Sequence, residues 1–144
     1  MLRILKIHKK GIGLSSLAHK IVRDAIGDMP RLMPKSIIEK KGRVHISHEQ
    51  LEGEFIDLHV PRYHGERDQH LIKEWLANNM NKYSQQEKMD FYTKITGHTS
   101  NHIKYRNIEW DKPSPTVVAH LHKDGYMFIH PDIQQLRSIT IREA

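Results

Sequence analysis

This chain predicts an α+β fold, a small domain of short strands, a few helices and long loops, and three observations predict it. Apolar residues recur at helical spacing in only a few short windows, β-branched and aromatic residues collect in runs of strand length, and polar or proline-bearing stretches separate the two kinds of segment. With 144 residues and 38% hydrophobic content the chain fits one domain with a modest core.

Taken in order, Met1 to His8 alternates apolar and basic side chains, which predicts a strand. Leu14, Leu17, Ile21 and Ala25 then follow helical spacing, with Gly27 placed to end that helix before Pro30. The two prolines of residues 30–41 predict a connector. Residues 42–64 favour short strands interrupted by Gln50 to Glu54. From Asp68 onward, Leu71, Ile72, Trp75, Leu76 and Met80 form one apolar helical face, a second short helix is expected near Met89 to Ile95, and residues 96–105 read as a polar loop. Val117 to Ala119 and Tyr126 to Ile129 flank Lys123-Asp124-Gly125, which predicts a hairpin. Finally, Thr140 and Glu143 have capping-box spacing, in which hydroxyl and carboxylate satisfy each other's backbone amides at a helix start. Only Ala144 follows, and a first turn without further turns is unfavourable, so this end is expected to fray.

Charge and composition narrow the function. The net charge is +6 and the sequence pI about 9.5, a balance that favours a polyanionic partner. Arg3, Lys6, Lys9, Lys10, Lys20 and Arg23 share the first 23 residues with no acid. Cysteine is absent, which excludes disulfides, thiolate metal sites and a cysteine nucleophile within this polypeptide. No stretch has signal-peptide or membrane-span character, so a cytoplasmic setting without membrane attachment is expected. Among the 12 histidines, His45 with His48 and His120 with His122 are the candidate metal pairs, yet neither a helical H-E-x-x-H nor a finger spacing accompanies them, and no metal is expected. His45-Ile46-Ser47 lacks the second histidine-hydroxyl pair of a two-histidine phosphoesterase, and Gly11-Ile12-Gly13 is too little for a phosphate loop and reads as a turn.

Several stretches resemble the C-terminal portion of bacterial DNA cytosine-5 methyltransferases. These are "RYHGERD" from Arg62, "TGHTSNHIKY" from Thr96, "WDKPSPTVVAHLHKDGYMFIHPD" from Trp110 and "QLRSITIREA" from Gln135, with "VRDAIGDMPRL" from Val22 similar to the segment after the family's eighth conserved motif. The resemblance is strong from Arg62 and weak over the first ten residues. "RSITIREA" is similar to the start of the family's ninth motif, which normally continues as a helix and organises the target-recognition domain.

The resemblance implies three regions: residues 1–41 as a basic strand-helix segment and connector following a missing catalytic domain, 42–136 as the target-recognition domain, and 137–144 as a truncated start of the ninth-motif helix. The family's S-adenosylmethionine-binding doubly wound domain, its Pro-Cys nucleophile and its Glu-Asn-Val motif have no counterpart here. No catalytic residue and no bound cofactor are therefore expected of this chain, and S-adenosylmethionine belongs to the complete enzyme. The implied partners are double-stranded DNA and, in a split enzyme, a separate catalytic methyltransferase subunit. Thr116 and Val117 match the family's Thr-Leu/Ile/Val pair, whose threonine contacts a backbone phosphate near the extruded nucleotide. Arg62, His64, Arg67, Thr99, Ser100, Lys104 and Tyr105 lie in matching polar stretches and are candidate contacts to phosphate or base edges. Arg137, Thr140, Arg142 and Glu143 are expected to be architectural. The function so implied is DNA sequence recognition for cytosine-5 methylation of the restriction-modification type. A stand-alone duplex-binding module and a gene remnant without independent function are the alternatives.

Overall fold

The computed structural model describes residues 20–41 and 43–144. The strand expected at Met1 to His8, the Gly11–Gly13 turn and the positions Leu14 and Leu17 lie outside them. The described residues form an α+β domain: helix α1 (Val22–Ile26), an antiparallel pair β1 (Leu32–Lys41) and β2 (Val44–Gln50), helices α2 (Glu66–Ala77) and α3 (Gln85–Thr96), and the single turn α4 (Leu121–Asp124). Loops occupy most of the remainder.

Two of the expected elements take another form. Of the expected connector 30–41, residues 32–41 form β1. Pro34 pairs with His48, and the next partnered residue is Glu39 opposite Ile46, so β1 carries a bulge between Pro34 and Glu39. A bulge is where a strand tolerates proline, which removes a ladder donor. The hairpin expected around Lys123-Asp124-Gly125 is absent. Residues 113–118 run without regular pairing, Leu121–Asp124 close one helical turn, and Gly125–Met127 continue as 3-10 helix.

Instead of that hairpin, three distant segments meet. Ile129 bridges Asn107 in parallel and Ser138 antiparallel. The Ile108 amide donates to the Ile129 carbonyl at 3.0 Å, the Ile129 amide to the Arg106 carbonyl at 3.0 Å, and the Ile139 amide to the Phe128 carbonyl at 2.9 Å. Because consecutive extended residues point to opposite faces, this unit separates two apolar clusters. Ile129 faces Leu71, Ile72, Trp75, Met80 and Tyr105, supplied chiefly by α2. Ile108, Phe128 and Ile139 face Val22 and Ile26 of α1.

The helices follow from local chemistry. The apolar positions of α2 fall on one side, with Leu71, Ile72 and Trp75 buried. Ser84 and Glu87 cap α3 reciprocally: the Ser84 amide donates to the Glu87 carboxylate at 2.8 Å and the Glu87 amide to the Ser84 hydroxyl at 3.3 Å. Gly97 ends α3 at φ 72°, a left-handed conformation that costs glycine little. At Gly27 a side chain is excluded for another reason, since a Cβ there would lie 2.4 Å from the Arg23 carbonyl oxygen. The free amides at the start of α1 are satisfied from afar, Val22 donating to the Lys112 carbonyl at 2.9 Å and Arg23 to the Trp110 carbonyl at 3.0 Å.

Truncating Ile129, fully buried at the junction of the clusters, is expected to cost about 2–5 kcal/mol as Ile129→Ala. Ile37→Ala, at a position 79% exposed, is expected to stay within about 0.5 kcal/mol of the parent. Urea unfolding of both variants checks the pair, and equal losses would contradict the two-cluster packing.

Candidate functional site

The C-terminal segment sets the geometry of the candidate surface. Arg137 is 1% exposed, and the Glu143 side chain is fully enclosed. Their pairing is bidentate: the two terminal guanidinium nitrogens donate to the two carboxylate oxygens at 2.6 and 2.7 Å. The remaining capacity is used too. Arg137 donates from Nε and Nη2 to the Gln135 side-chain oxygen at 3.0 and 2.7 Å, and from Nη1 to the Ser138 carbonyl at 3.1 Å. The Glu143 carboxylate also accepts the Thr140 amide at 2.8 Å, and the Glu143 amide donates to the Thr140 hydroxyl at 3.3 Å. The capping box is thus formed, and the end expected to fray has bonded partners: the carboxylate that would cap an isolated turn is also the counter-ion of a buried arginine.

Histidines knit this pair to the rest of the chain. His59 donates from Nε2 to the Pro30 carbonyl at 2.7 Å, which leaves Nδ1 to accept the Thr140 hydroxyl at 3.3 Å. His130 accepts the Asp132 amide at Nδ1 (3.1 Å), so its Nε2 carries the proton, 3.8 Å from the Glu143 carboxylate. His48 donates from Nε2 to the Gln135 carbonyl at 2.7 Å and accepts the Ser47 hydroxyl at Nδ1 (2.9 Å). Ser47 in turn accepts the His64 amide at 3.0 Å, and His64 Nε2 accepts the Ser138 amide at 3.0 Å. Burial disfavours the charged imidazolium, and the nearby Arg137 charge adds to it: His48 is held down to about 4, and His64 and His130 to about 3. Burial pushes the Glu143 carboxyl up, but the hydrogen bonds and charge of Arg137 outweigh it and hold the group at about 2.

Two clefts lie beside this knot. The first, about 470 Å³, is lined by Val60, Pro61, Arg62, Val117, Leu121 and the 138–141 backbone segment, and is mostly apolar. The second, about 350 Å³, is polar and lies between the first turn of α2, residues 102–105 and α4; Arg67, Asp68, Tyr92, Lys104, Lys123 and Tyr126 are among its walls. Between them the Arg62 guanidinium lies 4.5 Å from the centre of the Tyr126 ring, and the Tyr126 hydroxyl donates to the Asp68 carboxylate at 2.6 Å.

The candidate residues therefore divide. Arg62, Val117 and Thr140 meet at the apolar cleft, and Arg67, Lys104 and Tyr105 at the polar one. Thr116 is exposed in the neighbouring loop but lines neither cleft. Thr99 is exposed, and Ser100 closes a local turn by donating its hydroxyl to the His102 carbonyl at 2.7 Å. The exposed Arg142 donates its amide to the Leu58 carbonyl at 3.2 Å. Two expectations of a DNA-facing side chain meet an interior residue instead. His64 is fully buried with its ring bonded to Ser138, and Tyr105 is 6% exposed, its ring centre 4.9 Å from that of Tyr126. Both sit in polar stretches whose odd and even positions face opposite ways, which a one-dimensional pattern does not disclose. Lys123, His102 and Tyr126 join the polar cleft without having been singled out in the sequence, because their segments meet only in the folded chain.

Of the first histidine pair, His45 is exposed and His48 buried, as residues three apart on a strand must differ in face; of the second, His120 precedes a helical turn instead of lying on a strand. Among the described residues no group of three or more potential ligands converges, and no helix is long and apolar enough to cross a membrane.

Compared with known proteins, the chain matches no family model and no solved structure. It does match curated proteins over short segments. Type II methyltransferase M.Bpa9945I of Bacillus paralicheniformis is 63% identical over 35 residues, 24% of this chain and 8% of that protein. Type II methyltransferase M.AgeI of Thalassovita gelatinovora is 51% identical over 41 residues, 28% of this chain and 9% of that protein. Over about a quarter of its length this chain is similar to type II methyltransferases. The matched segments span less than a tenth of those relatives.

The buried knot fixes a pH response. In an unfolded chain the three histidines titrate near about 6.5, above their folded values of about 4, 3 and 3. The unfolded state takes up protons first as pH falls, so the stability from neutral burial is complete only about a unit above pH 6.5 and is lost toward pH 4, by up to about 4 kcal/mol per pH unit while all three differ. Glu143, whose folded value is about 2, adds a further loss below its ordinary range. Urea midpoints measured at pH 7.5, 6.5 and 5.5 are expected to fall slightly over the first interval, by about 1 kcal/mol of stability, and steeply over the second, by about 3 kcal/mol. Glu143→Gln is expected to cost about 3–5 kcal/mol at pH 7.5, because it leaves Arg137 charged and unpaired inside the protein.

Proposed function

We propose that this chain is the DNA-recognition part of a type II, restriction-modification DNA cytosine-5 methyltransferase. It selects a short duplex sequence, and a catalytic part located elsewhere in the enzyme or on a second polypeptide carries out methyl transfer. The observation that carries the reading is the 63% and 51% identity to type II methyltransferases over a quarter of the chain. The cytosine-5 assignment comes from the resemblance of "RSITIREA" and the preceding stretches to that family.

The chemistry at the clefts is consistent with recognition. Arg67 and Lys104 supply the donors that phosphates and guanine edges accept, and the cysteine that the family's covalent route needs is not encoded in these 144 residues. S-adenosylmethionine is assigned to the catalytic part, since neither cleft suits it. Its sulfonium is cationic, whereas the polar cleft is lined by Arg67, Lys104 and Lys123 against the single carboxylate of Asp68, and the apolar cleft has no carboxylate among its lining residues. That apolar cleft, flanked by exposed Val60, Val118 and Ile141, is assigned to contact with the catalytic part.

The test is binding of the purified chain to a pool of random duplexes, followed by sequencing of the retained DNA. A short enriched sequence and an affinity that falls steeply with salt are expected. Labelled methyl transfer by the chain alone is expected to be nil and to appear when a catalytic polypeptide of the family is added. No enrichment and no binding at low salt would refute the reading.

A further inference from the structure

We infer that the polar cleft between α2, residues 102–105 and α4 is a seat for a backbone phosphate of the bound duplex, with Lys123 as its third cation beside Arg67 and Lys104. The inference rests on the DNA-recognition reading and deepens it by assigning this cleft to the sugar-phosphate backbone and not to base edges.

The argument begins with charge. Arg67, Lys104 and Lys123 converge from three segments far apart in the chain, and Asp68 is the single carboxylate in the lining. Asp68 is already engaged, accepting the Tyr126 hydroxyl at 2.6 Å on one oxygen and lying 3.6 Å from Arg67 on the other. Among the described side chains no carboxylate lies within ion-pair reach of Lys104 or Lys123, whereas Arg23, Arg31, Lys35, Lys112 and Arg137 each have an acidic partner. The phenols of the cleft add no negative charge. Burial pushes Tyr105 up to about 12, and burial together with the bond to Asp68 pushes Tyr126 higher still. A cavity of about 350 Å³ with this lining holds a net positive potential at a partly desolvated surface.

Side-chain type separates phosphate from base. Lysine is a point charge on a flexible stem, well matched to a phosphate oxygen and poorly matched to the paired acceptors of one base edge, which a planar fork reads better. Two of the three cations here are lysines. The position of Lys123 follows from the helical turn at Leu121–Asp124, whose Lys123 amide donates to the His120 carbonyl at 2.9 Å. At the tip of a projecting hairpin it would have stood away from Arg67 and Lys104.

The test measures duplex affinity between 50 and 250 mM salt for the parent chain, Lys123→Ala, Lys104→Ala and the control Lys112→Gln, whose parent lysine is paired with Glu109 at 2.7 Å. Thermal melting of each variant first establishes folding. Each cleft variant is expected to weaken binding about fivefold near physiological salt, by the same factor on the selected and on scrambled duplexes, and to reduce the magnitude of the log-log salt slope by about 0.9. Lys112→Gln is expected to change neither. If the parent binds DNA and the slope is unchanged in both cleft variants, the phosphate seat is wrong while the recognition reading stands. Loss confined to the selected sequence would make the cleft a base reader and overturn the inference. Binding of a deoxynucleoside monophosphate as tight as that of a duplex would reassign the cleft to free nucleotides, and a parent chain that binds no duplex would remove both readings.

Discussion

A buried arginine-carboxylate pair governs this architecture. Two charges removed from water need nearly every hydrogen-bonding capacity satisfied, or the desolvation cost exceeds their attraction. Arg137 and Glu143 meet that demand by drawing in Gln135, Ser138 and Thr140 from their own segment. Gln135 passes the constraint outward. Its side-chain oxygen also accepts the Leu32 amide at 3.0 Å, fixing the start of β1, and its backbone carbonyl accepts His48 from β2 at 2.7 Å. Asp132 extends the same path to Arg31 at 2.9 Å. The two-stranded sheet is held to the body of the domain largely by polar contacts, which suits a pair of strands too small to bury an apolar face by itself.

Neutral histidines are suited to this role because each ring offers one donor and one acceptor at a fixed angle. His48, His59 and His130 use both nitrogens within or beside the knot. His64 uses Nε2 and leaves Nδ1 buried without a partner. The histidine abundance that suggested metal chemistry from composition is partly this wiring. The chain trades acid tolerance for buried histidines that are polar without being charged at neutral pH.

What was legible in the sequence follows the range of the interactions. The apolar face of α2 was readable because Leu71, Ile72 and Trp75 are spaced by the helix's own period, and the Thr140–Glu143 capping box because both partners lie within one turn. The equivalent Ser84–Glu87 box was as legible in principle, yet it was hidden in a stretch that reads as uniformly polar. The bulged β1 was not legible, since two prolines argue against a strand until a bulge is known to absorb one of them. Nor was the fate of residues 117–129. Their β-branched and aromatic content met turn residues at hairpin spacing, but Phe128 and Ile129 each had an apolar cluster to enter, and pairing with residues 107 and 138 placed them in both. Tertiary burial overrode a local pairing preference. The candidate surface shows the same limit: the types of its residues were readable, but the partition into two clefts depends on contacts between distant segments.

The two clefts share a wall, and the wall has consequences. Arg62 lines the apolar cleft, its guanidinium lies against Tyr126, and Tyr126 lines the polar cleft and holds Asp68. An arginine stacked on a ring whose hydroxyl is already committed to a carboxylate keeps its charge and has little freedom to swing away. Asp68, tied up by that hydroxyl, is correspondingly less able to neutralise Lys104 and Lys123. Packing at Tyr126 therefore sets the charge balance on one side and the position of an arginine on the other. The Arg62–Tyr126–Asp68 stack thus couples the two clefts through three side chains.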